Sequence, residues 1–402
     1  MGVIVQKYGG TSVANAERVK AVAERVVRTK REGNDVVVVL SAPAGMTDDL
    51  INRAKSISKK PRSRELDMLL VTGEQISIAL LAMAIHELGE EAISYTANQV
   101  GIKTTDHHTK AKITSISTDK IKHKLDTNHI VIIAGFQGVN DNEDITTLGR
   151  GGSDTTGVAL GVALNADTVE IYTDVDGIYT ADPRIVKNPK KLQEISFDEM
   201  LELASSGAKV LHSRSVELAY KNNIPIHLRS SFSDELGTIV KNEGANMEQT
   251  IIRGVSHSNK ESKITIEGVP DNPGIAARIF RELAENNINI DIVIQGGGHN
   301  QQNSISFTVK EEDFVTAREI TERLAKELGA KDVFTNENVA MVSVVGVGIK
   351  SNPGIAAQVF EVLAESGVNI DMISSSEIKI SCIINQDNLN TAVNALHKKF
   401  ID

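Results

Sequence analysis

An α/β domain with a mainly parallel sheet and helices on both faces, followed by two ferredoxin-like βαββαβ units, is the fold class this sequence predicts. Two observations carry it. Residues 1–240 alternate short apolar strands with amphipathic helices, the rhythm of a parallel sheet buried between helices. Residues 262–402 contain a repeat, in which DNPGIAARIFRELAENNINIDIVIQ from Asp271 realigns with SNPGIAAQVFEVLAESGVNIDMISS from Ser351 at constant offset. A match of that length is improbable by chance.

Taken in order, VIVQKY is a strand, and NAERVKAVAERVVRTK places Val19, Val22, Ala23, Val26 and Val27 on one helical face. DVVVVLSA is a continuous apolar run, as in a strand buried on both faces. AISYTA, HIVIIAGFQGV, TVEIYTDVDGIYT and IPIHLRS repeat the strand pattern, with helices at 64–88, 153–165 and 197–206 between them. Each repeat then reads strand, Asn-Pro-Gly turn, helix and second strand. The first copy continues with SISFTVK, a helix at 313–328 and KDVFTN. The second reaches only EIKISCIIN and a helix at 387–399, so QTIIRGVSHS, 249–258, is expected to supply its missing strand. The expected domains are therefore 1–243, 262–338, and 249–258 with 339–402, the first unit inserted in the second and VKNEGANMEQ as linker.

The chain has 402 residues, 41% hydrophobic and 24% charged, an ordinary globular composition. A formal charge of -10 gives no support for a nucleic-acid partner. The longest apolar run, Ile76 to Ile85, is too short to cross a membrane, so no membrane partner is expected. A single cysteine, Cys382, forms no internal disulfide, and a cytoplasmic location is expected. Cys382 sits in an alternating run as a buried strand residue, and no metal-ligand set stands out.

Four motifs follow predicted strands and so converge on one rim of the sheet. TLGRGGSDTTGVALG, from Thr147, fits neither the Walker A nor the dinucleotide fingerprint. Its glycines turn backbone N–H groups inward, its helix start favours an anion, and Arg150 suits a carboxylate or phosphate. A glycine-rich turn with a Ser/Asp helix cap is the plainer reading. KYGGTS places Lys7 just before two glycines, where an ammonium meets transferred phosphate charge. SAPAGMTDDL and TDVDGIYTADPR complete the set.

KYGGTS, SAPAGMTD, GRGGSDTT and TDVDGIYTADPR, with the duplicated NPGIAA…NID units, resemble the aspartate kinases over essentially the whole chain. The resemblance implies an amino-acid-kinase domain with two ACT domains, and transfer of phosphate from MgATP to the side-chain carboxylate of L-aspartate. It implies that Arg150 and Ser153 hold an aspartate carboxylate, with Thr47 and Glu74 in the amino-acid pocket and Ser41 near the transferred group. Lys7, Gly9 and Gly10 match the phosphate side; Thr173, Asp174, Tyr179, Asp182, Arg184 and Lys209 match the ATP site. Substrate carboxylate is already ionised at neutral pH, with a side-chain pKa of about 3.9, so no base is needed and Asp154 is read as an organiser of Lys7 or the metal.

For the repeats, the resemblance implies amino-acid effectors, lysine, threonine or both. Asp271, Asn272, Pro273, Gly274, Ile275 and Ala276 form the turn, and Asn289, Asp291, Gln295 and Asn369 are the polar candidates around it. Asn-Pro-Gly is also simply a good turn before a helix. Pairing of ACT units into a homodimer is expected, and some members of the family make a separate small subunit from an internal start near the position of Met247. Another acyl-phosphate-forming kinase and a non-catalytic amino-acid sensor are the competing readings.

Overall fold

The structure, a computed structural model, describes residues 2–207, 210–242, 251–297, 302–350 and 352–402. Among these, 2–178, 191–204 and 210–242 form one compact unit. Residues 179–190, 205–207 and the described part of 251–402 form a second.

The chain up to residue 242 runs through β1 (Val3–Tyr8), α1 (Ala16–Arg31), β2 (Asp35–Leu40), α2 (Met46–Ile57), α3 (Ser63–Leu70), α4 (Thr72–Glu87), β3 (Ala92–Tyr95), β4 (Ile102–Thr104), β5 (Ile113–Ile116), α5 (Asp119–Asp126) and β6 (Ile130–Ala134). It continues with β7 (Gln137–Val139), β8 (Ile145–Thr147), α6 (Gly152–Leu164), β9 (Thr168–Thr173), β10 (Ile178–Tyr179), β11 (Lys191–Leu192), β12 (Glu194–Ser196), α7 (Phe197–Ser205), α8 (Ser213–Asn222), β13 (Ile226–Ser230) and β14 (Thr238–Lys241).

The main sheet has the order β12-β14-β13-β9-β1-β2-β6-β3. β1 is central, pairing in parallel with β2 and β9, so that Lys7 lies opposite Val39 and Ile171. β6 and β13 extend the parallel set, and β13 meets β14 antiparallel. The ends of β1, β2, β6, β9 and β13 therefore share one edge. Val36, Val38, Leu40, Ile130 and Ile132 bury one sheet face against Val19, Val22, Ala23, Val26 and Val27 of α1 and Ile78, Leu81 and Ile85 of α4. Each such branched side chain contributes about 1.5–3 kcal/mol on leaving water. Asn15 caps α1 by accepting from the Arg18 N–H, and Arg28, Lys30 and Arg31 favour its C-terminal dipole.

Three predicted elements are broken. The helix expected at 64–88 is two, parted at Val71. Together they span 25 residues, Ser63–Glu87, and contain an 18-residue window apolar enough by length and composition to cross a membrane, which the run Ile76–Ile85 alone did not suggest. Half of its most apolar window is nevertheless buried, with Ile78, Leu81 and Ile85 in the core. HIVIIAGFQGV splits into β6 and β7 where Phe136 takes a positive φ of 68°, and TVEIYTDVDGIYT splits into β9 and β10.

The second unit carries β15 (Ile251–Pro270), α9 (Ile275–Glu285), β16 (Ile290–Gly297), β17 (Gln302–Lys310), α10 (Phe314–Leu328), β18 (Asp332–Val347), α11 (Pro353–Glu365), β19 (Ile370–Ser375), β20 (Lys379–Asn385) and α12 (Leu389–Phe400). Its sheet has the order β16-β17-β15-β18-β20-β19. Residues 251–258 of β15 pair with 341–347 of β18, and after an irregularity between Ser258 and Glu261 the same two strands pair again over 261–267 and 332–339. Two βαββαβ halves thus share one continuous sheet through two long strands. Each half has its own core: Ile264, Ile266, Phe307 and Leu324 in one, Val342, Val344, Val359 and Leu396 in the other. Ala181 and Val186 belong to the latter core, which is why residues 179–190 group with this unit.

Candidate active site

Lys7 is the penultimate residue of β1 and is 8% exposed. Its Nζ lies 2.6 Å from Asp154 Oδ1 in the first turn of α6. The contact depends on a close approach of helix to strand: a Cβ on Gly157 would stand 3.2 Å from the Lys7 Cβ. Asp154 lies three residues earlier, on the same face of α6, and so meets the far end of the same side chain. An ammonium and a helix N-terminus then sit together, a combination that attracts anions.

Beyond Lys7, the β1 turn packs on the β2 turn. A Cβ on Gly10 would come within 2.6 Å of the Ala42 carbonyl oxygen, and the Ala44 N–H donates to the Gly10 carbonyl at 3.0 Å. The Ala42 N–H in turn donates to Glu74 Oε1 at 3.0 Å. Glu74 is buried in the first turn of α4, and its Oε2 has no hydrogen-bond partner. Burial pushes its pKa up to about 7 against the pull of the Ala42 N–H. An acid held this way is incomplete until a cation arrives.

Ser41 follows β2 directly and Thr47 lies in the first turn of α2, both half-buried. Ser153 is buried in the first turn of α6, 3.0 Å from where Gly135, just past β6, would carry a Cβ. Arg150 is exposed in the loop before α6. The Gly9 N–H donates to the Tyr172 carbonyl at 3.1 Å, which brings the β1 turn beside Thr173 and Asp174 at the end of β9. Thr173 donates its hydroxyl hydrogen to Asp174 Oδ1 at 3.0 Å.

Tyr179, Asp182 and Arg184 belong to the second unit. Arg184 grips Asp182 at 2.6 Å and holds its carboxyl below the usual range. Lys209 lies outside the described residues.

Four residues around the Arg150 loop escaped the sequence reading. Asp67, fully buried, accepts from Thr147 Oγ1 at 2.6 Å and from the Thr109 N–H at 3.0 Å, with His108 Nδ1 at 2.8 Å. Arg214 donates to the carbonyls of Leu148 and Ala111 at 2.9 Å each. The His212 ring lies over Gly151, where a Cβ would fall 2.2 Å from its Cγ. Burial holds the His212 imidazole below its ordinary pKa, with Asp154 pulling upward and Arg214 and Arg150 adding to the depression. The loop is thereby fixed from both sides. Nothing local in the sequence joins them: His108 and its carboxylate partner Asp67 are 41 positions apart.

In the second unit a cavity of about 260 Å³ is lined by Asp271, Asn272, Pro273, Gly274, Ile275, Ala276 and Gln295, together with Asn303 and Ile305. Asn303 donates to Asp271 Oδ1 at 2.8 Å. Asn289, Asp291 and Asn369 are not in its lining: Asn289 and Asn369 are exposed before β16 and β19, and Asp291 pairs with Lys310 at 2.7 Å.

A parallel sheet whose strand ends gather a lysine, glycine turns and a helix N-terminus suits an anionic ligand such as a phosphate, and the family match gives the class as an amino-acid kinase. The model of the Amino acid kinase family matches residues 2–230, and an ACT domain model matches 264–323 and 342–400. The aspartokinase of Mycolicibacterium smegmatis is 51% identical over 405 residues, covering 100% of this chain and 96% of that one, and the aspartate kinase of Pseudomonas putida is 48% identical over 401 residues, covering 100% and 98%. Among solved structures, E. coli aspartokinase III in complex with aspartate and ADP, in the R-state, aligns over 100% of both chains with a TM-score of 0.85 at 27% identity. The same enzyme in complex with lysine and aspartate, in the T-state, aligns with a TM-score of 0.75, also over 100% of both chains at 27% identity. The chain belongs to the aspartokinase family.

Proposed function

We propose that this chain is an aspartate kinase, transferring the γ-phosphoryl group of ATP to the side-chain carboxylate of L-aspartate to give 4-phospho-L-aspartate and ADP. The observation that carries the reading is the unpaired, buried Oε2 of Glu74. A buried acid lacking a partner calls for an ammonium, so the acceptor has a free α-amino group; acetylated acceptors do not supply one. Arg150 and Ser153 take a carboxylate of the same substrate, and Thr47 and Ser41 border it.

The acceptor oxygen attacks phosphorus in line as ADP leaves. The carboxylate needs no deprotonation, so the chain's work is positioning and charge neutralisation. Lys7 supplies positive charge at the transferred group and Asp154 holds its ammonium in place. Gly9 and Gly10 leave the phosphate side clear of side chains. Thr173, Asp174, Tyr179, Asp182, Arg184 and Lys209 are assigned to the nucleotide. Mg²⁺ brought in with the nucleotide would need at most one or two protein carboxylates. Asp154 is the carboxylate that would hold it, and the ion would supply further charge neutralisation at the transferred group.

Residues 1–243 are read as the catalytic domain and 262–338 as a first ACT domain inserted in a second made of 249–258 and 339–402. The Asp271–Ala276 cavity takes an amino-acid effector, lysine and/or threonine, with a homodimer formed through the ACT units in the cytoplasm. A small subunit starting at Met247 is part of the same reading, although that residue lies outside those described. Incubation with MgATP, hydroxylamine and L-aspartate, acetylglutamate or glutamate tests the activity, because acyl phosphates are trapped as hydroxamates. Product from aspartate alone, lost on adding lysine, threonine or both, is expected. Product from another acceptor instead points to a sister kinase, and none at all to a sensor.

A further inference from the structure

The assigned nucleotide residues Tyr179, Asp182 and Arg184 lie on a segment that the second unit holds by an unusually complete set of bonds. Thr180 is the anchor, buried at 4% exposure. Its N–H donates to the Lys190 carbonyl at 2.9 Å, and its carbonyl accepts from the Val255 N–H at 2.7 Å. Its hydroxyl oxygen accepts from the Lys190 N–H at 2.9 Å and lies 2.9 Å from Nε2 of His397 on α12. With that oxygen already accepting, the hydroxyl hydrogen is left to donate to Nε2, which puts the imidazole proton on Nδ1; that atom makes no hydrogen bond, with Asp402 Oδ1 3.4 Å away. His397 is 1% exposed, so this hydrogen bond is shielded from water.

Neighbouring contacts act in the same direction. Ala181 and Val186 are buried in the core that includes Leu396 and Val393 of α12. Asn394 of the same helix donates to the Ile185 carbonyl at 3.2 Å. A Cβ on Gly254 would stand 2.8 Å from the Thr180 carbonyl oxygen, so β15 approaches this segment as only a glycine strand can.

We infer that His397 is a positioning residue for nucleotide use: through the Thr180 hydroxyl, the last helix of the second repeat fixes the segment that presents Tyr179 and Asp182 to ATP. This rests on the kinase reading above for the role of those two residues. Within the second unit, the geometry of residues 179–190 is set by the repeat that carries them.

The test uses the full-length chain with Thr180→Val, Thr180→Ser, His397→Leu and the Thr180→Val/His397→Leu pair. Calorimetric ATP affinity is measured on each, with KM for ATP and for aspartate alongside. Thr180→Val and His397→Leu are each expected to weaken ATP binding roughly tenfold, the scale of one lost buried hydrogen bond. Aspartate KM should stay within about twofold, the pair should be no worse than the worse single change, and Thr180→Ser should bind ATP like the parent. Unchanged ATP affinity in both singles, or equal losses for ATP and aspartate, would overturn the inference. Binding of ATP needs no acceptor, so a parent chain inactive on aspartate counts against the kinase reading while the calorimetry still decides this one.

Discussion

Lys7 Nζ and Asp154 Oδ1 stand 2.6 Å apart, with both side chains largely buried, at the end of the central strand and the start of α6. An ion pair so placed fixes an ammonium in direction as well as in charge. Asp154→Asn keeps the size and removes the charge. It is expected to lower kcat about 10²-fold, the usual scale for one lost element of electrostatic preorganisation, with a melting temperature close to that of the parent. Near-normal turnover in this variant would remove the organising role assigned to Asp154.

Glu74 links substrate recognition to pH. Its pKa is raised from 4.5 to about 7, chiefly by burial. Protonated Glu74 does not attract the substrate ammonium, so kcat/KM for aspartate should fall about tenfold per unit as pH drops below about 7. Glu74→Gln should raise aspartate KM and flatten that limb. A profile unchanged in Glu74→Gln would assign the limb to another group.

The same shift sets a stability trend. A carboxyl whose folded pKa exceeds its unfolded value stabilises the fold fully below pH 4.5, and the contribution is lost as pH rises through about 7. The amount is about 3 kcal/mol at most, at 1.36 kcal/mol per pKa unit. Thermal unfolding of the unliganded chain, compared with Glu74→Gln, should show the parent losing ground from pH 5 to 8 and the variant losing less. The stabilisation produced by saturating aspartate should grow over the same interval.

Gly151 has a φ of +66° and lies beneath the His212 ring. Gly151→Ala is expected to cost about 1–3 kcal/mol through backbone strain and overpacking, and to raise aspartate KM by displacing Arg150. Adding His212→Ala should recover part of the affinity, since it removes the clash but not the strain. Steady-state kinetics on the single and double variants checks this, and absence of any recovery would mean that the ring does not control the loop.

Asp271 and Asn303 are hydrogen-bonded at 2.8 Å in the lining of the Asp271–Ala276 cavity. Asn303→Ala is expected to change the half-inhibitory concentration of the effector amino acid at least about threefold while leaving uninhibited kcat unchanged, because one neutral hydrogen bond is worth about 0.5–1.5 kcal/mol. Inhibition curves for lysine and threonine, singly and together, measure it.

What the sequence made legible was local. Lys7 before Gly9 and Gly10, and Asp154 after a glycine loop, are neighbours within short motifs whose place on strand ends follows from hydrophobic periodicity. The repeat announced itself by its own alignment. What stayed hidden depends on residues brought together only by folding. Asp67 and His108 are 41 positions apart, and neither carries a motif. His212 carries no motif, and Gly151, beneath its ring, belongs to another segment. Residues 179–190 read as part of the catalytic half by sequence order, yet Ala181 and Val186 found their apolar partners in the second unit.

The most direct measurement compares hydroxamate formation from L-aspartate and N-acetyl-L-aspartate at saturating MgATP. The two acceptors share the reacting carboxylate and differ in the ammonium that Glu74 is proposed to bind. A site built around that charge should prefer aspartate by at least about 10³-fold in kcat/KM, and Glu74→Gln should shrink the preference. Equal use of both acceptors, with Glu74 intact, would contradict the account.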